Sequence, residues 1–477
     1  MRSTANTGRC WPWRRGWPRP RAYGDFSAPD SPAAGAHAAI TARNLAAEGA
    51  AAMLEGDFNQ AGEVLARALM TDGDNAEALA NLGVLLRRAG RLDAAALCWM
   101  RASDAGPASR ANLANVLREL GQLSAAEAEF VAALAADPAN PALLYGLGRL
   151  KRQCGHAREA VALLERAEEL RPGTVPPREL ATALLKSGDL ARGLTELPRR
   201  PTPRQAWVDA AVWDGSDLEA RSILVRDDDD AIETVILARF IPQIARCGGL
   251  VVVECVPELA RLMAALPGVE QVVPRGADLP PVDVVTRLAD VPRLIGLPSR
   301  NAPPRDIPYL RLPDGMAPHG PAGTGKLRVG IAWSGRATDQ AVPLSLLLQL
   351  AADPRVALVS LQRGPRADEL AASGAAPFVD DLGRHCADLA DSAAFIAGLD
   401  LVVAADTAEA HVAAAMGKPV WLLLPATCDW HVVDNRDDSV WYPTMRVFRQ
   451  AQDGSWTAAA ARMLEAARVV SAAFSQE

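Results

Sequence analysis

The sequence predicts a solenoid of paired helices followed by an α/β region with two parallel sheets. Glycines recur at intervals of 34, 31, 34 and 33 residues before residue 200, and a period near 34 indicates stacked helical hairpins. Beyond residue 205, apolar strand-type runs alternate with helix-type segments, which favours parallel sheets. A Pro-rich stretch, residues 297–325, divides these runs into two groups and therefore predicts two sheets.

The repeat is defined by three positions in each unit. The turn glycines are Gly56, Gly90, Gly121, Gly155 and Gly188. The small residues five positions later are Ala61, Ala95, Ala126, Ala160 and Gly193. The large apolar residues four positions further on are Leu65, Trp99, Phe130, Leu164 and Leu197. Small residues allow two helices to approach closely, and the large residue fills the space to the next pair. The pattern resembles the tetratricopeptide repeat over about residues 42–200; an irregular helical bundle is the alternative.

A solenoid of this kind presents a concave groove lined by the first helix of each unit. Asn81 and Asn112 occupy the same repeat position in two successive first helices. Their side-chain amides could hold the backbone of an extended peptide, which predicts a protein or peptide partner. Solvated polar residues without a ligand are the alternative interpretation.

Nine apolar runs are predicted as strands. They are "SILVR", "LVVVE", "VEQVV" and "VDVVT" before the Pro-rich stretch, and "LRVGIAW", "VALVSL", "LDLVVAA", "PVWLLL" and "MRVFR" after it. The last segment, "WTAAAARMLEAARVVSAAF", has the periodicity of an amphipathic helix.

Composition excludes several classes of protein. The net charge of −7 argues against a general nucleic-acid binder, which needs a basic patch. No apolar run approaches the roughly 20 residues of a membrane span. The first 24 residues are basic and rich in Trp and Pro without a signal-peptide apolar centre. We expect a disordered leader or translated sequence upstream of the true start; a targeting segment is the alternative. Seven cysteines without a C-x-x-C pair predict reduced thiols in a cytoplasmic protein.

Two motifs that suggest phosphate or metal binding have other interpretations. "GPAGTGKL", residues 320–327, matches the start of a phosphate-binding loop but continues with Leu327 and precedes a strand. That mechanism needs a loop that opens a helix, so we interpret the segment as a linker. The aspartates of "VRDDDDAIE", residues 225–233, could hold a divalent metal, whereas an exposed acidic loop is the alternative.

The segment "DLVVAADTAEAHVAAAMGKPVWLLLP", residues 400–425, predicts a ligand site. Ligands of doubly wound sheets bind at the carboxyl ends of the strands, where this strand delivers Asp406 and Thr407. Thr407 is a good N-cap for the following helix, whose N-terminus suits a diphosphate. His411 follows one turn later. The alternative is that Asp406 and Thr407 only cap the helix and His411 packs in the core.

This segment, together with "DWHVVDNRDDSVWYPTMRVFRQ" at 429–450 and "LRVGIAWSG" at 327–335, resembles the bacterial proteins that join tetratricopeptide repeats to a heptosyltransferase-like glycosyltransferase domain. The resemblance covers about residues 42–470. It implies a GT-B fold, in which two Rossmann-like domains face each other across a cleft. It also implies a nucleotide-diphosphate sugar as donor, inversion at the anomeric carbon, no metal and no further cofactor.

The resemblance assigns site residues by position. The implied donor-binding residues are Ser334, Gly335, Arg336, Gln362, Arg363, Asp406, Thr407 and His411. The family's catalytic base falls on Glu233, where related enzymes have Asp. The sequence departs from the family pattern at this Gly-poor turn, in the short loop after "WSG", and at Glu409, where the family has a small or apolar residue.

We therefore expect five regions. Residues 1–36 form the leader, 37–200 the repeats, 201–318 the N-terminal Rossmann-like domain, 319–455 the donor-binding domain, and 456–477 a helix that crosses back to the N-terminal sheet. The predicted function is sugar transfer from a nucleotide-diphosphate sugar to a protein or glycan acceptor bound by the repeats. The alternative is a catalytically lapsed domain that serves with the repeats as a protein-binding scaffold.

Overall fold

The computed structural model describes residues 32–102, 106–197, 210–227, 230–296, 306–319, 325–335 and 341–474. The contacts divide the chain into two compact units, Met1–Asp137 and Pro138–Glu477. The predicted leader before residue 32, the linker after Leu197 and Arg336 lie outside the described residues.

The first unit contains three helical hairpins. Their helices are α1 (Pro32–Glu55), α2 (Phe58–Thr71), α3 (Ala76–Arg88), α4 (Leu92–Arg101), α5 (Pro107–Glu119) and α6 (Leu123–Ala136). The turn glycines Gly56, Gly90 and Gly121 have φ between +72° and +83°. A side chain is strained in this left-handed conformation, which explains why glycine recurs at the turn.

Large side chains between the hairpins form the core of this unit. Leu65, Trp99 and Phe130 are at most 1% exposed, as the repeat pattern predicts. Trp99 packs on Gly83 of α3 so closely that a Cβ at Gly83 would lie 2.6 Å from the indole ring. The indole Nε1 also donates a hydrogen bond to the Ala80 carbonyl oxygen, at 3.1 Å. The close approach of α3 and α4 therefore depends on the absence of a side chain at Gly83.

The second unit begins with two further hairpins. Their helices are α7 (Pro141–Gln153), α8 (Ala157–Leu170), α9 (Pro177–Ser187) and α10 (Leu190–Glu196). Leu164 and Leu197 are buried at the repeat positions. Gly155 and Gly188 have φ of +76° and +92°, which extends the same turn geometry to the fourth and fifth repeats.

The first sheet follows the helices and is entirely parallel, in the order β1-β5-β2-β3-β4. Its strands are β1 (Ala211–Val212), β2 (Ser222–Arg226), β3 (Leu250–Cys255), β4 (Val269–Pro274) and β5 (Val284–Arg287). Its α-helices are α11 (Ala231–Ala238), α12 (Ile241–Arg246), α13 (Ala260–Met263) and α14 (Val291–Leu294).

The second sheet is also parallel, in the order β11-β10-β9-β6-β7-β8. Its strands are β6 (Leu327–Ala332), β7 (Val356–Ser360), β8 (Val379–Asp381), β9 (Leu401–Ala404), β10 (Val420–Leu424) and β11 (Met445–Arg449). Its α-helices are α15 (Leu344–Leu347), α16 (Asp368–Ala372), α17 (Leu389–Ala397), α18 (Ala408–Ala415) and α19 (Thr457–Phe474). Counted from β6, this is the 3-2-1-4-5-6 order of the Rossmann fold, whose crevice lies where the order reverses, between β6 and β9. The predicted fold class, helical repeats followed by a GT-B-type α/β region, is confirmed.

The position of α19 differs from the predicted return to the first sheet. Its buried residues Ala459, Met463 and Ala467 share a core with strand residues of the second sheet, including Leu423 and Phe448. The Ser471 hydroxyl donates to the Asp353 carboxylate, which precedes β7. The apolar face of the helix is therefore satisfied by the sheet that immediately precedes it in the chain.

No described helix is both long enough and apolar enough to cross a membrane. The compact units group the fourth and fifth repeats with the α/β region; the domain bounds at 200, 318 and 455 stay predictions.

Candidate functional site

The two sheets of the second unit border a cleft of about 980 Å³. Its wall on the first sheet is formed by Asp230, Ala231, Ile232, Val256 and Glu258. Its wall on the second sheet is formed by Ser334, Gly335, Gln362, Arg363, Gly364, Pro365, Arg366, Ala408 and Glu409. These residues follow the carboxyl ends of strands β2, β3, β6, β7 and β9, so the cleft includes the crevice between β6 and β9.

Gln362 fixes the loops that follow β6 and β7. Its Oε1 accepts hydrogen bonds from the backbone N–H groups of Trp333 and Ser334, both at 2.9 Å. Its Nε2 donates to the carbonyl oxygens of Ser334 and Arg363, also at 2.9 Å. The Gln362 side chain thus connects the two loops through these hydrogen bonds, whereas the sequence predicts that it contacts a ligand.

Gly335 lies against the end of β9. A Cβ at this position would collide with the carbonyl oxygen of Asp406, so only glycine allows the two loops to meet. Ser334 and Gly335 both line the cleft, as the sequence predicts for the donor-binding loop.

Arg363 places a cation between the two walls of the cleft. Its Nη2 lies 3.4 Å from Oε2 of Glu258, and its Nη1 lies 3.7 Å from Oε1 of Glu409. Burial raises the pKa of Glu409, an effect that the Arg363 cation and its own N–H oppose and that the Glu258 charge increases.

Asp406, Thr407 and His411 are buried behind the cleft. The Thr407 hydroxyl accepts the N–H of Ala410 at 3.2 Å and caps α18. His411 is 1% exposed; its Nε2 lies 3.0 Å from Oδ1 of Asp406, and its Nδ1 lies 3.4 Å from the Tyr442 hydroxyl. Both ring nitrogens of His411 therefore contact protein side chains, which agrees with the alternative that this residue packs.

The sequence interpretation missed His431, which completes this cluster. Its Nε2 also lies 3.0 Å from Oδ1 of Asp406, and its ring is perpendicular to that of His411, with centroids 4.9 Å apart. His431 is 25 positions from Asp406 in an irregular loop, and the signal in the sequence was the quoted "DWH". Burial alone would raise the pKa of Asp406, but the two imidazoles hold it well below its usual value. Burial alone would lower the pKa of His431, but the Asp406 carboxylate raises it to about 9.

A chain of buried polar groups continues from this cluster into the first α/β half. The hydroxyls of Tyr442 and Tyr309 lie 3.3 Å apart, and the Tyr309 hydroxyl donates to the Val235 carbonyl of α11 at 2.8 Å. Arg239 donates to the Tyr309 hydroxyl and to the Trp441 carbonyl, at 3.2 and 2.8 Å. Its guanidinium lies 4.8–5.4 Å from the ring centroids of Tyr309, Tyr442 and Trp441, within the range of cation–π contacts.

The turn after β2 brings Asp230, and not the side chain of Glu233, to the cleft wall. Asp230 caps α11 by accepting the N–H of Glu233 at 3.0 Å. Burial lowers the pKa of His411, and the negative charge of Asp230 is one of the effects that oppose this. The Glu233 side chain is 6% exposed, and its Oε2 lies 3.5 Å from Nη2 of Arg178 on α9. Glu233 therefore contacts the fifth repeat; its role as a base stays a prediction.

Two family models match the chain. One, described as tetratricopeptide repeat, matches residues 52–120 and 117–180. The other, described as glycosyltransferase family 9 (heptosyltransferase), matches residues 362–427, which run from the cleft through α18 to β10. Tetratricopeptide repeats and a heptosyltransferase-like domain lie in this one chain. The resemblance stated from the sequence is confirmed.

Known proteins are similar to parts of the chain. Protein FlbA of Caulobacter vibrioides is 28% identical over 189 residues, which are 36% of this chain and 30% of FlbA; the match thus spans less than a third of that relative. E. coli ADP-heptose LPS heptosyltransferase II is 15% identical with a TM-score of 0.40, over 52% of this chain and 98% of its own. MamA from Desulfovibrio magneticus RS-1 is 18% identical with a TM-score of 0.30, over 33% of this chain and 90% of its own.

The aspartate run that follows β2 has structural contacts at its two described positions. The Asp227 carboxylate forms an ion pair with Arg275 and accepts hydrogen bonds from the Thr234 hydroxyl and the Val256 N–H. Asp230 caps α11. Asp228 and Asp229, the other half of the run that could hold a metal, lie outside the described residues.

Asp406, His411 and His431 are also the one group in the described part of the chain with the composition and spacing of metal ligands. Each imidazole Nε2 lies at hydrogen-bonding distance from Asp406 Oδ1, as described above. The arrangement is accounted for by the imidazole N–H groups of His411 and His431, which both donate to the Asp406 carboxylate.

Asn81 and Asn112 of the repeats are both partly exposed on the first unit. Their role in peptide binding stays a prediction.

The His431–Asp406 pair predicts a specific pH dependence of stability. The pKa of His431 rises from about 6.5 to about 9 on folding, so between these pH values the folded state binds more protons than the unfolded state. The free energy of unfolding should therefore fall as pH rises through this window, by roughly 3 kcal/mol for this group. Urea denaturation at pH 6, 7, 8 and 9 measures the slope.

His431→Gln should flatten this slope, whereas replacement of the exposed His385 by Gln should leave it unchanged. Equal slopes in the wild type and in His431→Gln would show that His431 is not charged in the folded protein.

Proposed function

We propose that the cleft binds a nucleotide-diphosphate sugar and transfers the sugar to a protein or glycan acceptor held by the repeats. One observation carries this proposal: the N-terminus of α18 and the Arg363 guanidinium meet at the strand-order reversal of a Rossmann-type sheet, opposite the carboxyl ends of a second parallel sheet. Dinucleotides and related phosphates bind at this place in such sheets.

The diphosphate would lie at the first turn of α18, where the helix dipole favours an anion. Arg363 supplies a cation with a fork of N–H donors that suits phosphate oxygens. Ser334 and Gly335 line the same part of the cleft. The hydrogen bonds of Gln362 fix the backbone that carries Ser334 and Arg363. These groups would stabilise the diphosphate as it leaves the anomeric carbon, a role that needs no metal ion.

On the opposite wall, Asp230 is the carboxylate best located to act as base. In a single displacement with inversion, the acceptor hydroxyl oxygen attacks the anomeric carbon, the bond from that carbon to the diphosphate oxygen breaks, and the hydroxyl proton passes to the base. Asp230 lines the cleft, whereas Glu233 is engaged with Arg178 of α9. Position in the cleft wall therefore favours Asp230 over Glu233, the residue to which the family resemblance assigns the base.

The repeats supply the acceptor. Tetratricopeptide repeats are typically surfaces for protein partners, and the groove positions Asn81 and Asn112 are candidates for contact with a peptide backbone. The scaffold alternative is favoured by one observation, the two carboxylates that already contact Arg363.

Binding of nucleotide diphosphates without magnesium tests the proposal. At a ligand concentration of a hundred times Kd, binding should stabilise the fold by about 2.7 kcal/mol, measured as a shift in Tm with uridine, guanosine or adenosine diphosphate. Arg363→Ala should remove the shift. Arg384→Ala, which changes an arginine paired with Asp368 and Asp381, is the matched control.

His411 is not a suitable probe of this site, because its replacement would disturb the buried cluster. Failure of all three nucleotides to shift Tm, both in the wild type and in variants that lack the carboxylates beside Arg363, would contradict the proposal. A shift that requires a divalent cation would contradict metal-independent binding and direct attention to the aspartate run.

A further inference from the structure

The contacts of Arg363 raise a question about how a phosphate could reach it. Glu258 belongs to the turn Pro257–Leu259 after β3, on the first-sheet wall, whereas Glu409 belongs to the first turn of α18, on the second-sheet wall. The guanidinium lies between them, at 3.4 and 3.7 Å. The contact with Glu258 thus connects the two walls of the cleft, and the contact with Glu409 lies within the second-sheet wall.

Glu409 stands where the proposed phosphate would bind. It is the second residue of α18, and its side chain is 11% exposed. A carboxylate and a phosphate offer the same anionic oxygens to an arginine fork and to a helix N-terminus. The Glu409 carboxylate is therefore a competitor for both of the features that would attract the donor.

Glu258 differs from Glu409 in its surroundings. Its side chain is 43% exposed, so its removal should not disturb the core. It contributes the contact that crosses the cleft, and its negative charge also acts on Glu409. The two glutamates therefore form one electrostatic unit with Arg363.

We propose that Glu258 and Glu409 act as a self-inhibitory latch. Their carboxylates contact Arg363 in the way that the donor's phosphates would, and so compete with the donor. Donor binding exchanges two carboxylate contacts for phosphate contacts and opens the bridge across the cleft. The latch rests on the proposed function, because it supposes that this cleft takes a nucleotide diphosphate. It makes Glu409 a residue that limits donor affinity, as opposed to one that contributes to it.

The latch predicts that removing a carboxylate strengthens binding. Glu409→Gln should bind a nucleotide diphosphate about tenfold more tightly than the wild type, because the competing charge is lost while the side-chain shape is kept. Glu258→Gln should show a smaller gain in the same direction, because this residue is more exposed. Calorimetric titration with uridine, guanosine and adenosine diphosphate, without metal, measures Kd.

Asp368→Asn is the matched control for net charge. It removes one negative charge from helix α16, at an 82% exposed side chain that pairs with Arg384 and not with Arg363. It should leave Kd unchanged. Thermal unfolding of each variant establishes that it is folded, and Arg363→Ala in the Glu409→Gln background should abolish the gain.

The outcomes separate the latch from the proposed function. Binding by the wild type with equal or weaker binding by both Gln variants would overturn the latch and leave the proposed function standing. Binding by the Gln variants where the wild type shows none would support the latch. Absence of binding in the wild type and in both variants would overturn the latch together with the proposed function.

Discussion

Replacing Asp230 by asparagine is expected to slow sugar transfer by roughly 10²–10⁴-fold, the usual contribution of a general base. Asparagine is as good an N-cap as aspartate, so the hydrogen bond to Glu233 N–H and the fold of α11 should persist. Donor binding should be retained, because Asp230 is on the wall opposite the phosphate site. Transfer of labelled sugar from a panel of nucleotide-diphosphate donors to partner proteins in a lysate measures the rate.

Glu233→Gln is the companion variant. It removes the carboxylate that contacts Arg178 on α9 and should leave transfer within a few-fold of wild type. Loss of transfer in Glu233→Gln, with activity kept by Glu233→Asp and by Asp230→Asn, would restore Glu233 as the base. Absence of transfer by the wild type with every donor would favour the scaffold.

Replacing Trp99 by alanine is expected to lower the free energy of unfolding of the first unit by about 3–5 kcal/mol. The indole is fully buried, so truncation leaves a cavity against Gly83. It also removes the donor to the Ala80 carbonyl. Phe130→Ala should cost a similar amount, because Phe130 occupies the same position in the next repeat and is 1% exposed. Urea denaturation of the full chain, followed by circular dichroism, measures the change.

Met100→Ala is the control for Trp99→Ala. Met100 is adjacent on the same helix and 47% exposed, so the loss should be within about 0.5 kcal/mol. Equal destabilisation by the two changes would mean that burial at the repeat position does not decide the stability of this unit.

Local rules in the sequence were sufficient to predict the repeats. Gly56, Gly90 and Gly121 adopt a left-handed backbone in which other residues are strained. Glycine is therefore favoured at these turns, and its recurrence in the sequence indicates where the turns lie. The central strand-type runs were also predictable, because strands such as β9 and β10 are buried on both faces of a parallel sheet and are therefore apolar.

The site was predictable only in part, because its side chains are oriented by tertiary contacts. The strand ends indicated the loops that carry Ser334 and Arg363, and both residues line the cleft. No local pattern specifies that Glu233 turns toward α9, or that His411 meets His431 and Tyr442. A position assigned from the family resemblance indicates where the backbone lies, whereas the role of the side chain depends on its neighbours in space.

The position of α19 shows the same limit. Its amphipathic period predicts a buried face but does not say which sheet provides the partner. The core formed by Ala459 and Met463 with Phe448 decides this through contacts that periodicity does not encode.

The buried chain of Arg239, Tyr309 and Tyr442 has a consequence for motion. Hinge closure between two domains requires an interface that can slide or open, and it proceeds on the microsecond to millisecond timescale. Here the cation–π contacts of Arg239 and the hydrogen bonds that run from α11 to the cluster at α18 would have to break at every cycle. We therefore expect the two α/β halves to move as a single rigid body. Ligand entry and release would then depend on rotamer changes at Arg363 and its neighbours, which are faster than domain rotation.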